Sequence, residues 1–318
     1  MSKELSLKDK ILSKKTLVSF VIAFIVLFLL FHGVDFSKTI YIIKSINPLI
    51  YLLAFPVYYL SYPSRGLRWK ILLDNIGIRG TIRDLTEILF ISWSINCIVP
   101  AKLGDVYRGY LTRKNYGNSI SKVMGSIFVE RVYDIIVLII LLGISSLLVF
   151  GKYIPKNILI LLEMGYGLIG LIIILIILMK HQRNRLEKLL PAKLKDIFIK
   201  FEKGTSQSLD KKTIPIIVIY TVFIWFFEIG RLFIVTKSLG LNISSSIIVF
   251  VALAAQILTA LPLTPAGLGI VEASIAGVLI LVGVDKNIAV SIAILDRLIS
   301  YWSLMILGGI TYSLSDKV

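Results

Sequence analysis

The chain has 318 residues, 57% of them hydrophobic, and a formal net charge of +16, with a mean hydropathy of +0.87. Such a composition excludes an ordinary soluble protein and leaves little room for a soluble domain beside membrane-type sequence. The basic excess falls in loops between apolar runs, which marks orientation and contact with anionic headgroups; no separate basic domain exists to bind nucleic acid.

Long apolar runs occupy about 16–33, 47–62, 123–150, 158–179, 213–236 and 287–313. Most reach the roughly 20 residues that a helix needs to cross a ~30 Å hydrocarbon core. The run 47–62 is short, and Gly66–Leu73 extends it toward the interface. The first run follows Lys3, Lys8, Lys10, Lys14 and Lys15 and lacks a small-residue cleavage site, so it reads as a retained signal anchor with a cytoplasmic N-terminus. The loop 34–46 carries only Lys38 and Lys44 and is expected outside, whereas Arg65, Arg68, Lys70, Arg79 and Arg83 bring the chain back inside. Two further runs, about 85–99 and 246–262, end in proline-glycine elements. The segment after the first is basic (Lys102, Arg108, Arg113, Lys114, Lys122) and also reads as cytoplasmic, so 85–99 is expected to enter and return as a re-entrant hairpin over about 85–112. Non-helical backbone at that depth is tolerated only against protein or a wet cavity. Residues 123–150 then go out and 158–179 come back. The loop 180–212, dense in lysine and arginine, is the largest cytoplasmic element, with an interfacial helix expected near 186–203. Residues 213–236 go out, a second hairpin over about 246–283 enters from the opposite face, and 287–313 return the C-terminus to the cytoplasm. Gly165, Gly167 and Gly170 are expected to permit close helix packing.

An internal echo organises this scheme. Pro100-Ala101-Lys102-Leu103-Gly104 is answered by Pro265-Ala266-Gly267-Leu268-Gly269, Glu130-Arg131 by Asp296-Arg297, and Leu67-Arg68 followed by Gly77 by Gly230-Arg231 followed by Gly240, at offsets of 163 to 166 residues. Prolines and glycines at matching positions of two halves are the best sequence pointer to a transporter site. The expected fold is therefore an all-α integral membrane protein with an inverted-topology repeat. Residues 1–150 form the first repeat and 151–318 the second, each with three transmembrane helices and one re-entrant hairpin, eight membrane segments in all. The alternative is eight plain spanning helices with chance similarity, which also places both termini inside.

The single cysteine, Cys97, excludes an intramolecular disulfide, and His32 and His181 lie in different segments, so no cluster has zinc spacing. H-E-x-x-H, a P-loop, a dinucleotide glycine fingerprint and G-x-S-x-G are absent, which argues against metalloprotease, nucleotide-driven pump and serine hydrolase. No catalytic residue, metal or cofactor is expected.

Arg68-Trp69 after an apolar helix, Asn96 with Pro100–Asp105 and Arg108, Glu130-Arg131 with Asp134, Pro265–Gly269 with Glu272, and Asp296-Arg297 together resemble the transmembrane region of lysylphosphatidylglycerol synthases. The chain looks like the stand-alone, flippase-like members of that family, the UPF0104 group, and the resemblance covers nearly its whole length. In full-length bacterial relatives this region moves an aminoacylated phospholipid between leaflets, and a separate soluble domain attaches the amino acid. No such domain is read here, so the resemblance implies movement of a lipid rather than its synthesis. Other relatives are fused to glycosyltransferases and handle isoprenoid-linked glycans.

A flippase must carry a polar headgroup through hydrocarbon, and a charge at mid-membrane costs about 2.5–3.5 kcal/mol on insertion scales. Lys102, Arg108, Arg131 and Arg297 are the candidate headgroup-binding residues, since arginine offers a two-point fork to phosphate and lysine a movable charge. Asp105, Glu130, Asp134, Glu272 and Asp296 are carboxylates for coupling or for structure; Glu130 and Asp134 share a helix face. Glu272, with no basic residue near it in sequence, is the preferred lone membrane carboxylate for protonation-linked transport. Pro100, Gly104, Pro265, Gly267 and Gly269 form the hairpin turns, where Gly104 and Gly269 are expected to permit close approach or positive φ. Arg68, Asn96, Glu228, Arg231 and Gln256 are secondary candidates, with Glu228 and Arg231 expected to pair on one helix face and Asn96 and Gln256 to make helix–helix hydrogen bonds. Trp69 and Trp302 are expected to anchor or pack.

The leading reading is a flippase for an anionic, zwitterionic or glycosylated isoprenoid lipid, with two inverted halves around a central headgroup cavity in the cell membrane. A membrane transferase acting on lipid headgroups, and a subunit anchoring a lipid-modifying enzyme or glycosyltransferase through 180–212, are the rivals. The expected partners are membrane lipids and such an enzyme, not nucleic acid.

Overall fold

A computed structural model of the chain describes residues 13–259 and 264–318, and every regular element among them is helical. α1 (Lys14–Phe31) starts at Ser13, whose hydroxyl oxygen accepts from the Thr16 amide at 3.3 Å. α2 (Phe36–Lys44) and α3 (Pro48–Tyr59) start on Asp35 and Asn47, whose side-chain oxygens satisfy first-turn amides in the same way. α4 (Ser61–Asn75) follows after Leu60, and α3–α4 together make an 84° bend with α2. Then come α5 (Ile82–Ile98), α6 (Leu103–Tyr116), α7 (Ile120–Phe150), α8 (Lys156–His181), α9 (Arg183–Leu189), α10 (Ala192–Ser208), α11 (Ile214–Ser238) and α12 (Ser245–Thr259). A 3₁₀ turn at Pro265–Gly267 precedes α13 (Ile270–Leu281); α14 (Lys286–Arg297) continues through a wide π turn, Leu298–Ser303, into α15 (Leu304–Leu314).

Four single helices, α1, α7, α8 and α11, and the continuous run α14–α15 are long and apolar enough to cross a bilayer. They coincide with five of the six apolar runs. The sixth, 47–62 with its extension, is α3–α4, which is long enough to span but qualifies as an apolar span only with α2, across the bend. The limbs flanking the two turns are shorter: α5 has 17 residues, α12 has 15 and α13 has 12. At about 1.5 Å per residue none of these spans a ~30 Å core. α1 turns Leu17, Phe24 and Phe28 outward, and α8 turns Ile160, Met164, Leu171 and Leu175 outward. Apolar surface on that scale is unstable in water and natural against lipid tails. The chain is a multi-pass membrane protein.

The offset read from the sequence recurs in the backbone. Gly77 and Gly240 take positive φ (78° and 68°) just beyond α4 and α11, and Gly117 and Gly283 do so (71° and 92°) just beyond α6 and α13. In the two turns, Ala101 and Ala266 hold positive φ, 60° and 41°, a conformation that a side chain disfavours. Their followers, Lys102 and Gly267, sit at 52° and 73°. Gly269 is left-handed at 82°, whereas Gly104 is not among the left-handed residues; its need is space, since a β-carbon there would lie 2.1 Å from the Ser92 carbonyl oxygen.

Packing gathers the chain into two compact units. One holds the described part of Met1–Ser61 with Phe90–Gly104 and Phe226–Leu314; the other holds Tyr62–Leu89, Asp105–Trp225 and Ser315–Val318. Each takes segments from both 1–150 and 151–318. In the first unit, α13 packs on α12, α14 and α1, α14 packs on α2, and α3 lies against the π turn. There Tyr51 and Tyr58 donate their hydroxyls to the Leu295 and Ser300 carbonyls, at 2.9 and 3.1 Å. In the second unit, α7 packs on α8 and α10. The 180–212 segment is two helices rather than the single one expected near 186–203, because Leu190 and Pro191 leave helical geometry and Pro191 caps α10. α10 is also not a free surface helix: a β-carbon at Gly204 would lie 2.1 Å from the Lys122 carbonyl oxygen. Of the three glycines on α8, only Gly165 meets a neighbour, Ile139; Gly167 and Gly170 face open space, which corrects their expected packing role.

Candidate functional site

The second unit contains a network of three arginines and three carboxylates. Arg108, on α6, donates from both terminal nitrogens to the two oxygens of Glu130 on α7, at 3.2 and 2.7 Å. Its guanidinium stacks 3.7 Å from the Trp69 ring centroid. Arg68, on α4, meets Asp134 at 2.5 and 3.3 Å, Glu130 at 3.5 Å and the Thr221 hydroxyl of α11 at 2.9 Å. Arg131 bridges Asp105 at 3.2 Å and Asp134 at 3.3 Å. The side chains of Arg68, Arg108 and Glu130 are fully buried, while that of Arg131 is 22% exposed. Burying six formal charges is tolerable because each is paired and hydrogen-bonded. The expectation that Arg108 is an open phosphate ligand is corrected by this geometry, since both its terminal nitrogens are taken by Glu130 and its face by Trp69. Arg131, at the network's partly exposed edge, likewise has both terminal nitrogens engaged, one by Asp134 and the other by Asp105.

The first unit contains the counterpart. Arg231, on α11, donates to Asp296 of α14 through Nε at 2.8 Å and Nη2 at 3.2 Å, and also binds Glu228 one turn earlier. It lies over Tyr58, 4.9 Å from the ring centroid. Gln256 of α12 reaches the same Glu228 carboxylate at 3.5 Å. Arg297 donates through Nε to Glu272 at 3.0 Å and through Nη2 to the Ala266 carbonyl at 3.0 Å. It therefore ties the left-handed residue of the second turn to the long helix that follows it. Tyr301, one turn beyond Arg297, packs against its guanidinium and donates to the Cys97 carbonyl at 2.7 Å. The expectation of a lone Glu272 is corrected: Arg297, 25 residues later, packs beside it. One oxygen of Glu272 takes that contact, and the other, Oε2, is buried without a hydrogen-bond partner among the described residues.

The first turn is closed by its own entering limb. The Asn96 side-chain oxygen accepts from the Gly104 amide at 2.8 Å, and Ser92 donates to the Gly104 carbonyl at 2.8 Å. Asn96 thus makes the helix–helix hydrogen bond expected of it, from α5 to the first turn of α6, and so secures the turn between them. Lys102 is half-buried at the tip of this turn, just after Pro100, whereas Pro265, Gly267 and Gly269 are buried in theirs. Glu228 and Arg231 make the one-face pair expected of them. Thr221, Ser92, Tyr58 and Tyr301 were not singled out by sequence. Only Tyr301 carried a legible signal, since it lies four residues after Arg297 on the same helix face. No group of three or more His, Cys, Asp or Glu residues suited to a metal occurs among the described residues.

Broken apolar helices, with arginine–carboxylate networks fastening the helices beside each break, define an all-helical, multi-pass membrane protein with charge held inside its units. The lysylphosphatidylglycerol synthase transmembrane-region family model matches residues 16–308, and the chain belongs to that family. It is 40% identical over 226 residues to a UPF0104 membrane protein of Methanocaldococcus jannaschii, a match covering 70% of this chain and 94% of the relative. A UPF0104 membrane protein of Pyrococcus horikoshii is 25% identical over 331 residues, covering 94% of this chain and 96% of the relative. The glycosyltransferase AglD of Haloferax volcanii is 28% identical over 142 residues, 44% of this chain and 23% of that protein.

Proposed function

We propose that this protein is a lipid flippase that moves a polar lipid, anionic, zwitterionic or glycosylated isoprenoid, between leaflets while its tails stay in hydrocarbon. The observation that carries the reading is the repeated fastening of a turn-flanking helix to a long helix, Arg131 to Asp105 and Arg297 to Glu272. In each, an arginine can turn from its carboxylate to a headgroup phosphate, provided that the released carboxylate takes up a proton so that the local charge stays balanced. Membership of a family named for the synthase's transmembrane region supports the substrate class.

In this reading the two similar stretches run inverted through the membrane, six crossings and two re-entrant hairpins, with both termini in the cytoplasm and the protein in the cell membrane. Arg131, Arg297 and Lys102 contact the headgroup; Arg68, Arg108, Arg231 and their carboxylates hold the helices that the headgroup passes. Glu272 carries the coupling proton. Likeness to the glycosyltransferase AglD favours a second reading, a membrane-anchoring subunit for a glycosyltransferase. A leaflet-resolved assay on purified protein in liposomes separates the readings. Redistribution of unmodified lipid supports the flippase, a new headgroup supports a transferase, and neither supports the anchor.

A further inference from the structure

The headgroup reading leaves the α9–α10 segment unused. Around Gly125 and Gly204 the backbones of α7 and α10 touch, a β-carbon at Gly125 lying 2.5 Å from the Phe201 carbonyl oxygen. Toward the start of α10 a cleft of about 350 Å³ opens between them, lined by Met124, Leu190, Leu194, Ile197, Phe198 and Phe201 among others. That volume lies within the range of small-ligand sites. Leu194 and Ile197 are each about half exposed, at 47% and 51%, and Leu189 beside them is 81% exposed. The cleft borders the first turn of the spanning helix α7, and α9 follows directly on the spanning helix α8. It therefore lies at the level where hydrocarbon gives way to headgroups. Residues 183–203 carry seven lysines and arginines against three acids. Two of those acids are already engaged, Glu202 by Arg183 at 3.5 Å and Asp196 by Lys200 at 2.6 Å. An apolar slot at the bilayer boundary, formed in part by a segment this rich in lysine and arginine, matches one ligand chemistry, a hydrocarbon chain ending in an anionic headgroup.

We infer that this cleft holds one chain of an anionic membrane lipid, whose phosphate is bound by basic side chains of α9 and the start of α10. The site is separate from the transport reading, because its lipid is retained and not moved. Hydrocarbon gains little on leaving a bilayer for an apolar cleft, so selectivity rests on headgroup charge.

The test uses the full chain in phosphatidylcholine liposomes with a trace of phosphatidylglycerol bearing a photoreactive diazirine near one chain end. Adducts are mapped by peptide mass spectrometry. The expected result is labelling of the Met124 and Phe198 peptides at least about fivefold above that given by the matching phosphatidylcholine probe, the ratio of a single basic contact. Leu194→Trp, which fills the cleft, should remove those adducts and leave labelling of the exposed α8 face unchanged. Should that variant not fold, the surface variant Arg185→Gln/Lys188→Gln/Lys195→Gln should erase the headgroup preference. Equal labelling by both probes, or labelling no denser than on α8, overturns the inference. A crosslink between two copies through Leu194→Cys assigns the cleft to self-association and overturns it as well.

Discussion

Arg231 and Asp296 form a two-point ion pair between α11 and α14, at 2.8 and 3.2 Å, with Asp296 fully buried. Their sequence counterparts, Arg68 and Glu130, lie 3.5 Å apart and are also fully buried. In each stretch an arginine on the second helix before the turn is joined to the second helix after it, Arg68 of α4 to α7 and Arg231 of α11 to α14. Each pair also recruits a further acid, Glu228 for Arg231 and Asp134 for Arg68.

The proposed function divides the networks into structural and exchangeable members, and substitutions at Arg108 and Arg131 test that division. Arg108→Gln leaves Glu130 short of a partner in a fully buried site. Breaking a buried pair costs about 3–5 kcal/mol, so this variant should show a large drop in thermal midpoint in detergent, or fail to accumulate. Arg131→Gln should be milder, because the side chain is partly exposed and glutamine still offers a donor to Asp105 or Asp134, and in the folded variant lipid movement should slow about tenfold or more, the scale of one charged hydrogen bond. Normal transport by a folded Arg131→Gln protein removes Arg131 from the headgroup site.

Valine at either turn should abolish activity. At Gly104 it collides with backbone 2.1 Å away, and at Gly269 it meets the Ala23 carbonyl oxygen at 2.6 Å and a φ of 82°. At Gly143 the nearest atom is the Tyr166 hydroxyl, the far end of a side chain that can move, and at Gly277 nothing lies within 4 Å. Both controls should retain folding and transport. Equal loss at all four sites would show that the turns are not special.

Membrane orientation is checked by cysteine accessibility in oriented vesicles. Arg113→Cys should react from the cytoplasmic side and Ser244→Cys from the outside, while the buried Cys97 stays silent. External labelling at position 113 would sink the first hairpin.

The coupling role proposed for Glu272 draws on its second oxygen, which is buried without a hydrogen-bond partner among the described residues. Glu272→Gln keeps an acceptor for Arg297 but does not titrate. Transport by this variant should lose any dependence on an imposed pH gradient while lipid binding persists. An unchanged gradient response rules Glu272 out, and no response in the wild type points to downhill movement.

Much of the architecture was legible because its signals are local. Apolar length marks α1, α7, α8, α11 and α14–α15, and the proline-glycine elements mark both turns. The Glu228–Arg231 pair follows from three-residue spacing on a helix. What escaped the sequence depends on packing between distant segments. Nothing local pairs Arg297 with Glu272 across a turn, or Arg68 with Glu130 and Asp134. Ala101 and Ala266 give no hint of left-handed backbone, since alanine disfavours it. Gly104 was expected to permit close approach or positive φ, and only the packed structure shows that close approach is its requirement.

The most direct measurement is the leaflet exposure of a fluorescent anionic lipid in liposomes holding purified wild-type protein or Arg131→Gln, followed by quencher accessibility, with the lipid's mass checked afterwards. Wild-type protein should make inner-leaflet lipid accessible faster than protein-free liposomes, with no change in lipid mass and with Arg131→Gln strongly slowed. Accessibility no faster than in protein-free liposomes, across anionic, zwitterionic and isoprenoid-linked lipids, would contradict the flippase account.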